Sequence, residues 1–141
     1  MGINSGLFTS ASDEWATPQE FFDRLNEWGL FTLDPCATPA NAKCAKFFSP
    51  EMDGLAQDWG GERVFCNPPY GRAISAWVRK CANEAQKPNT IVVALLPARV
   101  DTKWFHDYIY RKARHVHFIK GRLKFGGSKN AAPFPSMVVV F

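Results

Sequence analysis

Residues 64–71 constrain the fold of this chain more than any other stretch, because a short apolar run leads through Asn67 into two consecutive prolines. Pro68 and Pro69 fix two successive φ angles and remove two N–H donors, so the backbone that leaves the strand is stiff and its carbonyls face outward. In open α/β sheets, ligands bind at the carboxyl ends of the strands. The sequence therefore predicts a ligand site at this bend.

The groups around the bend indicate what kind of ligand it accepts. Asn67 offers an amide oxygen, the carbonyl of Pro68 offers a second acceptor, and Tyr70 offers a flat ring. Two acceptors beside an aromatic ring suit a planar group that carries an NH₂. A rigid strand-to-helix connection with Tyr70 packed in the core is the structural alternative.

The rest of the chain alternates between strand and helix patterns, which is typical of an α/β domain with a mainly parallel sheet. Its 141 residues are 46% hydrophobic, enough for one domain with a packed core. We expect this domain to span residues 14–141, after a flexible arm of residues 1–13. The continuously apolar residues 90–96 predict a central strand covered on both faces.

Charge and composition limit the classes of function. The net charge of +4 is compatible with a polyanionic partner and equally with a solvated basic surface. The four cysteines and three histidines show no zinc-ligand spacing, so no metal is expected. We see no signal peptide and no apolar run of about eighteen residues, and we expect a cytoplasmic protein that does not enter the membrane.

Polar residues upstream of the bend are candidates for a binding site. Thr17, Pro18 and Glu20 form a predicted capping box whose helix N-terminus can also hold a carboxylate. Asp34 ends the predicted strand 31–34, where a carboxylate accepts hydrogen bonds from an ammonium or from hydroxyl groups, or else caps the next turn.

A second group of candidates, Asp53, Asp58 and Trp59, gives a weaker signal. Taken alone, the two aspartates read as ordinary loop acids, and Trp59 equally as a core residue. Downstream, residues 120–135 form a long glycine-rich loop, and loops of this length in compact domains are usually functional or disordered. Its cations predict phosphate contacts and favour nucleic acid over protein as a partner; they are Lys120, Arg122, Lys124 and Lys129.

Four segments in this order resemble the small phage-type DNA N6-adenine methyltransferases, which use S-adenosylmethionine. The segments are Trp15-x-Thr17-Pro18-x-x-Phe21, Leu33-Asp34-Pro35-Cys36-Ala37, Asn67-Pro68-Pro69-Tyr70 and Gly121-Arg122-x-x-Phe125 with the closing strand. The likeness extends over nearly the whole chain from Asp13. It implies a single-domain Rossmann-like methyltransferase fold, with helices on both faces of the sheet and a final antiparallel strand.

The resemblance also implies an activity and a set of site residues. The activity is methyl transfer to the adenine N6 of double-stranded DNA, with the target base flipped out of the helix, in the host cytoplasm if the chain is phage-encoded. The implied catalytic residues are Asn67, Pro68, Pro69 and Tyr70. The implied cofactor contacts are Trp15, Thr17, Pro18, Asp34, Pro35, Ala37, Asp53, Asp58 and Trp59.

Other substrates suit the same pair of acceptors. The side-chain amide of a protein glutamine and the N4 amino group of cytosine each present a planar NH₂. A non-catalytic nucleic-acid-binding module would explain the charge and the fold, but it would leave the acceptors at Asn67 and Pro68 without a role. The oligomeric state is left open.

Overall fold

The computed structural model describes residues 15–126 and 131–141. The predicted arm of residues 1–13 and the predicted phosphate contact Lys129 lie outside the described residues. Within them, a single six-stranded sheet combines with helices, so the α/β class is confirmed.

Helices and strands alternate between residues 63 and 118, as the sequence pattern predicts, whereas the first two strands and the last two follow one another without a helix between them. The helices are α1 (Gln19–Gly29), α2 (Ile74–Glu84) and α3 (Lys103–Tyr108), and a 3₁₀ turn spans Gly54–Ala56. The strands are β1 (Leu33–Asp34), β2 (Lys46–Phe47), β3 (Arg63–Cys66), β4 (Ile91–Pro97), β5 (His115–Phe118) and β6 (Ser136–Val140).

The order of strands in the sheet is β2-β1-β3-β4-β6-β5. The pairs β1–β2, β1–β3 and β3–β4 are parallel, whereas β6 is antiparallel to both β4 and β5. The carboxyl ends of β1, β3 and β4 therefore meet at one edge of the sheet. Because β5 runs in the same direction as β4, the residues that follow β5 return to that edge as well.

The core is built around β4, where the side chains from Val92 to Leu96 are fully buried. This confirms the prediction that the apolar run is covered on both faces. Helix α2 packs against β4 and α3 through an apolar stripe that includes Trp77 and Val78. Burying such a side chain contributes about 1.5–3 kcal/mol relative to leaving it exposed, so this packing holds the bend before α2 in place.

The predicted capping box at α1 is wrong. The cap position is Pro18, no side chain caps the helix, and Glu20 forms an exposed ion pair with Arg24 instead. The Thr17 hydroxyl accepts a hydrogen bond from the side chain of Asn67. A contact that spans fifty positions of the chain has replaced the local one, and it ties the start of α1 to the bend after β3.

Candidate functional site

A cavity of about 350 Å³ opens at the carboxyl edge of the sheet, beside the ends of β1 and β3. Its walls come from segments that are far apart in sequence but meet at this edge. They are residues 15–17, 34–37, 48–50, 53–54 and 67–69, with Asn41, Lys43, Phe65 and Trp77. The structure thus brings together most of the residues that the sequence predicts for a site.

The side chain of Asn67 is held in one orientation. Its Nδ2 donates hydrogen bonds to the carbonyl of Trp15 at 2.5 Å and to Thr17 Oγ1 at 2.9 Å. A carbonyl can only accept, so the NH₂ must face Trp15 and the oxygen must face the other way. Asn67 Oδ1 is buried and has no hydrogen-bond partner among the described residues. An unpaired buried acceptor costs about 1–3 kcal/mol, so a ligand that donates a hydrogen bond is expected here.

The two prolines follow Asn67 along the cavity wall. Pro68 is buried, Pro69 is half-buried, and both line the cavity. Their fixed φ angles leave the backbone little freedom to move the neighbouring amide of Asn67. The rigid bend therefore holds the amide oxygen of Asn67 in a fixed position.

Tyr70 lies elsewhere. Its ring is only 3% exposed and does not line the cavity, and its hydroxyl donates a hydrogen bond to the carbonyl of Leu95 at 2.9 Å. Phe134 and Phe125 meet the ring edge-on, with centroids 5.5 and 6.3 Å away. Burial raises the pKa of the Tyr70 hydroxyl well above its ordinary value. In this conformation Tyr70 is a core residue, and stacking on a base would require its neighbours to move.

Asp34 adds a buried carboxylate to the cavity wall. Its two oxygens accept hydrogen bonds from the backbone N–H groups of Cys36 at 3.3 Å and Lys43 at 3.0 Å. Removal from water raises its pKa to about 6, against the lowering effect of those bonds and of the Lys43 charge. Asp34 therefore caps the turn that follows β1, one of the two roles its position allowed. Its remaining lone pairs can still accept from a ligand.

A close approach of two loops forms another part of the wall. A Cβ added to Gly54 would lie 2.0 Å from the carbonyl oxygen of Pro35, so only glycine fits at this position. The carbonyl of Gly54 accepts a hydrogen bond from Trp59 Nε1 at 3.0 Å. Trp59 is fully buried and stacks on Trp77, with the ring centroids 6.3 Å apart. Of these two stacked indoles, Trp77 lines the cavity and Trp59 supports it from the core.

The structure separates the remaining predicted cofactor contacts. Pro35, Ala37 and Asp53 line the cavity, as do Trp15 and Thr17. Pro18, Asp58 and Trp59 do not line it. Asp58 is exposed and accepts from Lys87 Nζ at 2.8 Å, and Trp59 takes the core position that the sequence left open as its alternative.

Sequence reasoning missed several residues of the wall, notably Asn41, Lys43, Pro50 and Trp77. The helical period of Trp77 indicated only a core position. Lys43 belongs to a segment that is irregular apart from the two-residue β2, and its Nζ donates to Gln19 Oε1 at 2.7 Å. The abundance of proline and small residues between β1 and the 3₁₀ turn was the one signal available.

The predicted basic loop returns to the site. Lys120, Arg122 and Lys124 are exposed, while the neighbouring Phe125 is buried against Trp15 with ring centroids 5.7 Å apart. The N–H of Gly126 donates to the carbonyl of Ala16, a cavity residue, at 2.9 Å. Residues 125 and 126 thus tether the loop beside the cavity, and none of the described cations of the loop lines it.

Two classes of site are not found in the part of the chain that is described. Residues 15–126 and 131–141 contain no group of three or more His, Cys, Asp or Glu side chains able to hold a metal ion. No helix within these residues has the length and apolarity needed to cross a membrane.

The fold and the cavity define an α/β protein with a small-molecule-sized site at the carboxyl edge of its sheet. Residues 4–140 match the family model described as "DNA N-6-adenine-methyltransferase (Dam)", and the chain belongs to this family.

Two relatives support this assignment. The chain is 38% identical over 97 residues to the DNA N-6-adenine-methyltransferase of Escherichia phage T1, covering 67% of this chain and 40% of the relative. It is 41% identical over 66 residues to "Putative methyltransferase YfdM" of Escherichia coli (strain K12), covering 41% of this chain and 71% of the relative. The chain thus spans less than half the length of the phage T1 protein.

Proposed function

We propose that this chain transfers a methyl group from S-adenosylmethionine to the N6 amino group of adenine in double-stranded DNA. The single observation that carries the proposal is the buried Asn67 Oδ1, which lacks a partner among the described residues and faces away from the groups that orient its amide. Membership of the Dam family and the phage T1 relative support adenine in DNA as the substrate.

The chemistry follows from what this acceptor does to an amino group. The lone pair of an exocyclic adenine nitrogen is delocalised into the ring, which makes the nitrogen a poor nucleophile. When Asn67 Oδ1 and the carbonyl of Pro68 each accept one N–H, the nitrogen becomes more tetrahedral and its lone pair becomes available. S-adenosylmethionine, when bound, supplies an electrophilic methyl group on a sulfonium. Orientation of two reactants can supply roughly 7–11 kcal/mol of the barrier, so positioning by the rigid bend could carry much of the work.

The size and the acidic groups of the cavity support this cofactor. Its volume of about 350 Å³ lies within the range of small-molecule sites. The buried carboxylate of Asp34 can attract a cationic group, and Asp53 can accept from ribose hydroxyls. The compact side chains of Pro35 and Ala37 allow a ligand to approach the backbone closely. Trp15 and Thr17 close the side of the cavity next to Asn67.

The proposal includes a DNA partner and a mode of approach. The target amino group is inaccessible inside a duplex, so the base must be extruded towards the Asn67–Pro68 acceptors. Tyr70 could then offer a stacking surface if Phe125 and Phe134 move aside. We assign Lys120, Arg122 and Lys124, together with Lys129 outside the described residues, to phosphate contacts. We further propose that residues 14–141 form a single Rossmann-like domain and that the protein acts in the cytoplasm.

The test is to identify the methylated product. Purified chain is incubated with radiolabelled S-adenosylmethionine and unmethylated duplex DNA, and the DNA is digested to nucleosides. We expect the label in N6-methyladenine, with Asn67→Ala as the inactive control and Gln86→Ala, an exposed amide outside the cavity, as the active one. Label in N4-methylcytosine or on a protein substrate would replace adenine as the target. Absence of transfer to any of them would overturn the proposal.

A further inference from the structure

A second concave surface lies on the other side of α2 from the cavity. It is an open groove of about 630 Å³ between α2 and α3. Its lining carries four cations, Arg72, Arg79, Lys80 and Lys103, against the single carboxylate of Asp107. A concave surface with this balance of charge favours an anionic partner.

Two of these four cations, Lys80 and Lys103, have acidic partners within the protein. Lys80 Nζ lies 3.5 Å from Glu84 Oε2, and Lys103 Nζ lies 2.5 Å from Asp107 Oδ2. Arg72 and Arg79 are exposed, and neither side chain forms a hydrogen bond or an ion pair with any residue in the described ranges. Each presents five N–H donors in a planar fork that matches the oxygens of a phosphate.

The groove presents its donors in a row. Ser75, Arg79 and Asn83 recur at four-residue intervals along α2 and so share one face of the helix, with Arg72 immediately before its first turn. All four are exposed. Hydroxyl, amide and guanidinium groups are the side chains that contact DNA phosphates. The row from Ser75 to Asn83 is about 12 Å long at a rise of 1.5 Å per residue. Each DNA strand carries one phosphate per ~3.4 Å of the duplex axis, so a row of this length suits several backbone phosphates better than one small anion.

The groove and the cavity share a wall, which indicates which strand the groove would hold. Trp77 of α2 lines the cavity, and its neighbour Ala76 lines the groove. In the 3₁₀ turn, Gly54 lines the cavity and the adjacent Leu55 lines the groove. A strand that delivers a base to the cavity can therefore continue across the outer face of α2 without leaving the protein surface.

We propose that Arg72 and Arg79, with Ser75 and Asn83, bind backbone phosphates of the DNA strand beside the target base. This groove is a DNA-contacting surface in addition to the loop of residues 120–135. The inference rests on the proposed function, because it takes DNA as the substrate.

The experiment measures how DNA binding depends on salt. Fluorescence anisotropy of a labelled duplex gives the dissociation constant of the full chain over a series of salt concentrations, for wild type and for the double variant Arg72→Gln/Arg79→Gln. Each lost phosphate contact should reduce the log–log slope by about 0.9, so we expect a reduction of about 1.8. Affinity for S-adenosylmethionine, measured by calorimetry, should stay within about twofold of wild type, because neither arginine lines the cavity.

Two further variants separate this inference from general charge and from folding. Arg111→Gln/Arg114→Gln removes the same charge from exposed arginines that precede β5, at the opposite edge of the sheet, and should leave the slope unchanged. Arg72→Lys/Arg79→Lys keeps the charge and should retain the wild-type slope.

An unchanged slope in the glutamine double variant, with wild type still methylating DNA, would overturn the groove alone. A wild-type chain that neither binds nor methylates DNA would overturn the groove and the proposed function together.

Discussion

Asn67 and Tyr70 are three positions apart in one rigid bend, yet the structure places them in opposite situations. Asn67 lines the cavity, and its Oδ1 is buried with no partner among the described residues. Tyr70 points into the core, its hydroxyl bonds to the carbonyl of Leu95, and Phe125 and Phe134 cover its ring. The first residue lacks a partner that a substrate could supply, whereas the second has all it needs within the protein.

This difference distinguishes Asn67, which we propose binds the substrate, from Tyr70, which supports the fold. A protein gains nothing by burying an unpaired acceptor, so the cost of about 1–3 kcal/mol is expected to be offset by a ligand. A satisfied hydroxyl within an aromatic cluster stabilises the fold in the free protein. Asn67 should therefore respond to mutation through turnover, and Tyr70 through stability.

The largest expected effect is on Tyr70. Truncation of a buried aromatic side chain costs about 3–5 kcal/mol, so Tyr70→Ala should lower the free energy of unfolding by that amount in urea denaturation. Tyr110→Ala, at an aromatic position that is 51% exposed, should lower it by less than about 1 kcal/mol. A Tyr70→Ala protein of wild-type stability that has lost DNA affinity would instead assign the ring to the flipped base.

Asn67→Ala should give the converse result. Loss of an acceptor that acts on the reacting group typically lowers kcat by about 10²–10³-fold. Cofactor affinity by calorimetry should stay within a few-fold, because Asn67 is proposed to bind the target nitrogen. Loss of cofactor binding by a folded Asn67→Ala protein would move the residue to the cofactor side of the cavity.

Ionisation of Asp34 should make the affinity of the cavity for its ligand depend on pH. Because its pKa is raised to about 6, its carboxyl is mostly neutral at pH 5 and mostly ionised at pH 7. If the ionised form attracts a cationic cofactor, affinity should rise by about tenfold between these pH values. Asp34→Asn should remove the dependence, and an unchanged slope in that variant would assign the titration to another group.

The same raised pKa has an opposite consequence for the fold. The folded-state pKa lies above the unfolded one, so ionisation of Asp34 destabilises the fold as pH rises from about 4 to about 6. Ligand affinity and stability should therefore move in opposite directions across this window. Urea denaturation of the free protein at pH 4 and pH 6, for wild type and Asp34→Asn, measures the second effect.

The smallest expected effect is at Thr17, which positions the Asn67 amide. Thr17→Val keeps the shape of the side chain but removes the acceptor of a 2.9 Å hydrogen bond. One such bond is worth about 0.5–1.5 kcal/mol, so kcat should fall by about two- to tenfold. KM for DNA should not change, and Thr17→Ser should restore kcat. A change in cofactor affinity with kcat intact would mean that Thr17 contacts the cofactor and does not position Asn67.

The sequence predicted those elements whose structure depends on residues that are close together in the chain. The apolar run of β4 and the apolar stripe of α2 follow from hydrophobic burial alone, and Asp34 and Asn67 stand at strand ends where parallel strands meet. The prediction that Thr17 caps α1 is wrong, because its hydroxyl accepts a hydrogen bond from Asn67, fifty positions away. The sequence left Trp59 open between the site and the core and gave Trp77 only a core position, since nothing nearby in sequence reveals which indole stacks behind the other.

The position of β6 has a consequence for how the chain is made. In the sheet, β6 lies between β4 and β5, and β5 pairs with no other strand in the described part of the chain. During translation the ribosome releases β5 before β6, so β5 stays an unpaired segment until the residues of β6 have emerged. Phe125 and Phe134, which close over Tyr70, lie between these two strands in sequence. A released chain truncated after residue 135 should therefore remain open to proteases at β5, and the chain that extends to residue 141 should not.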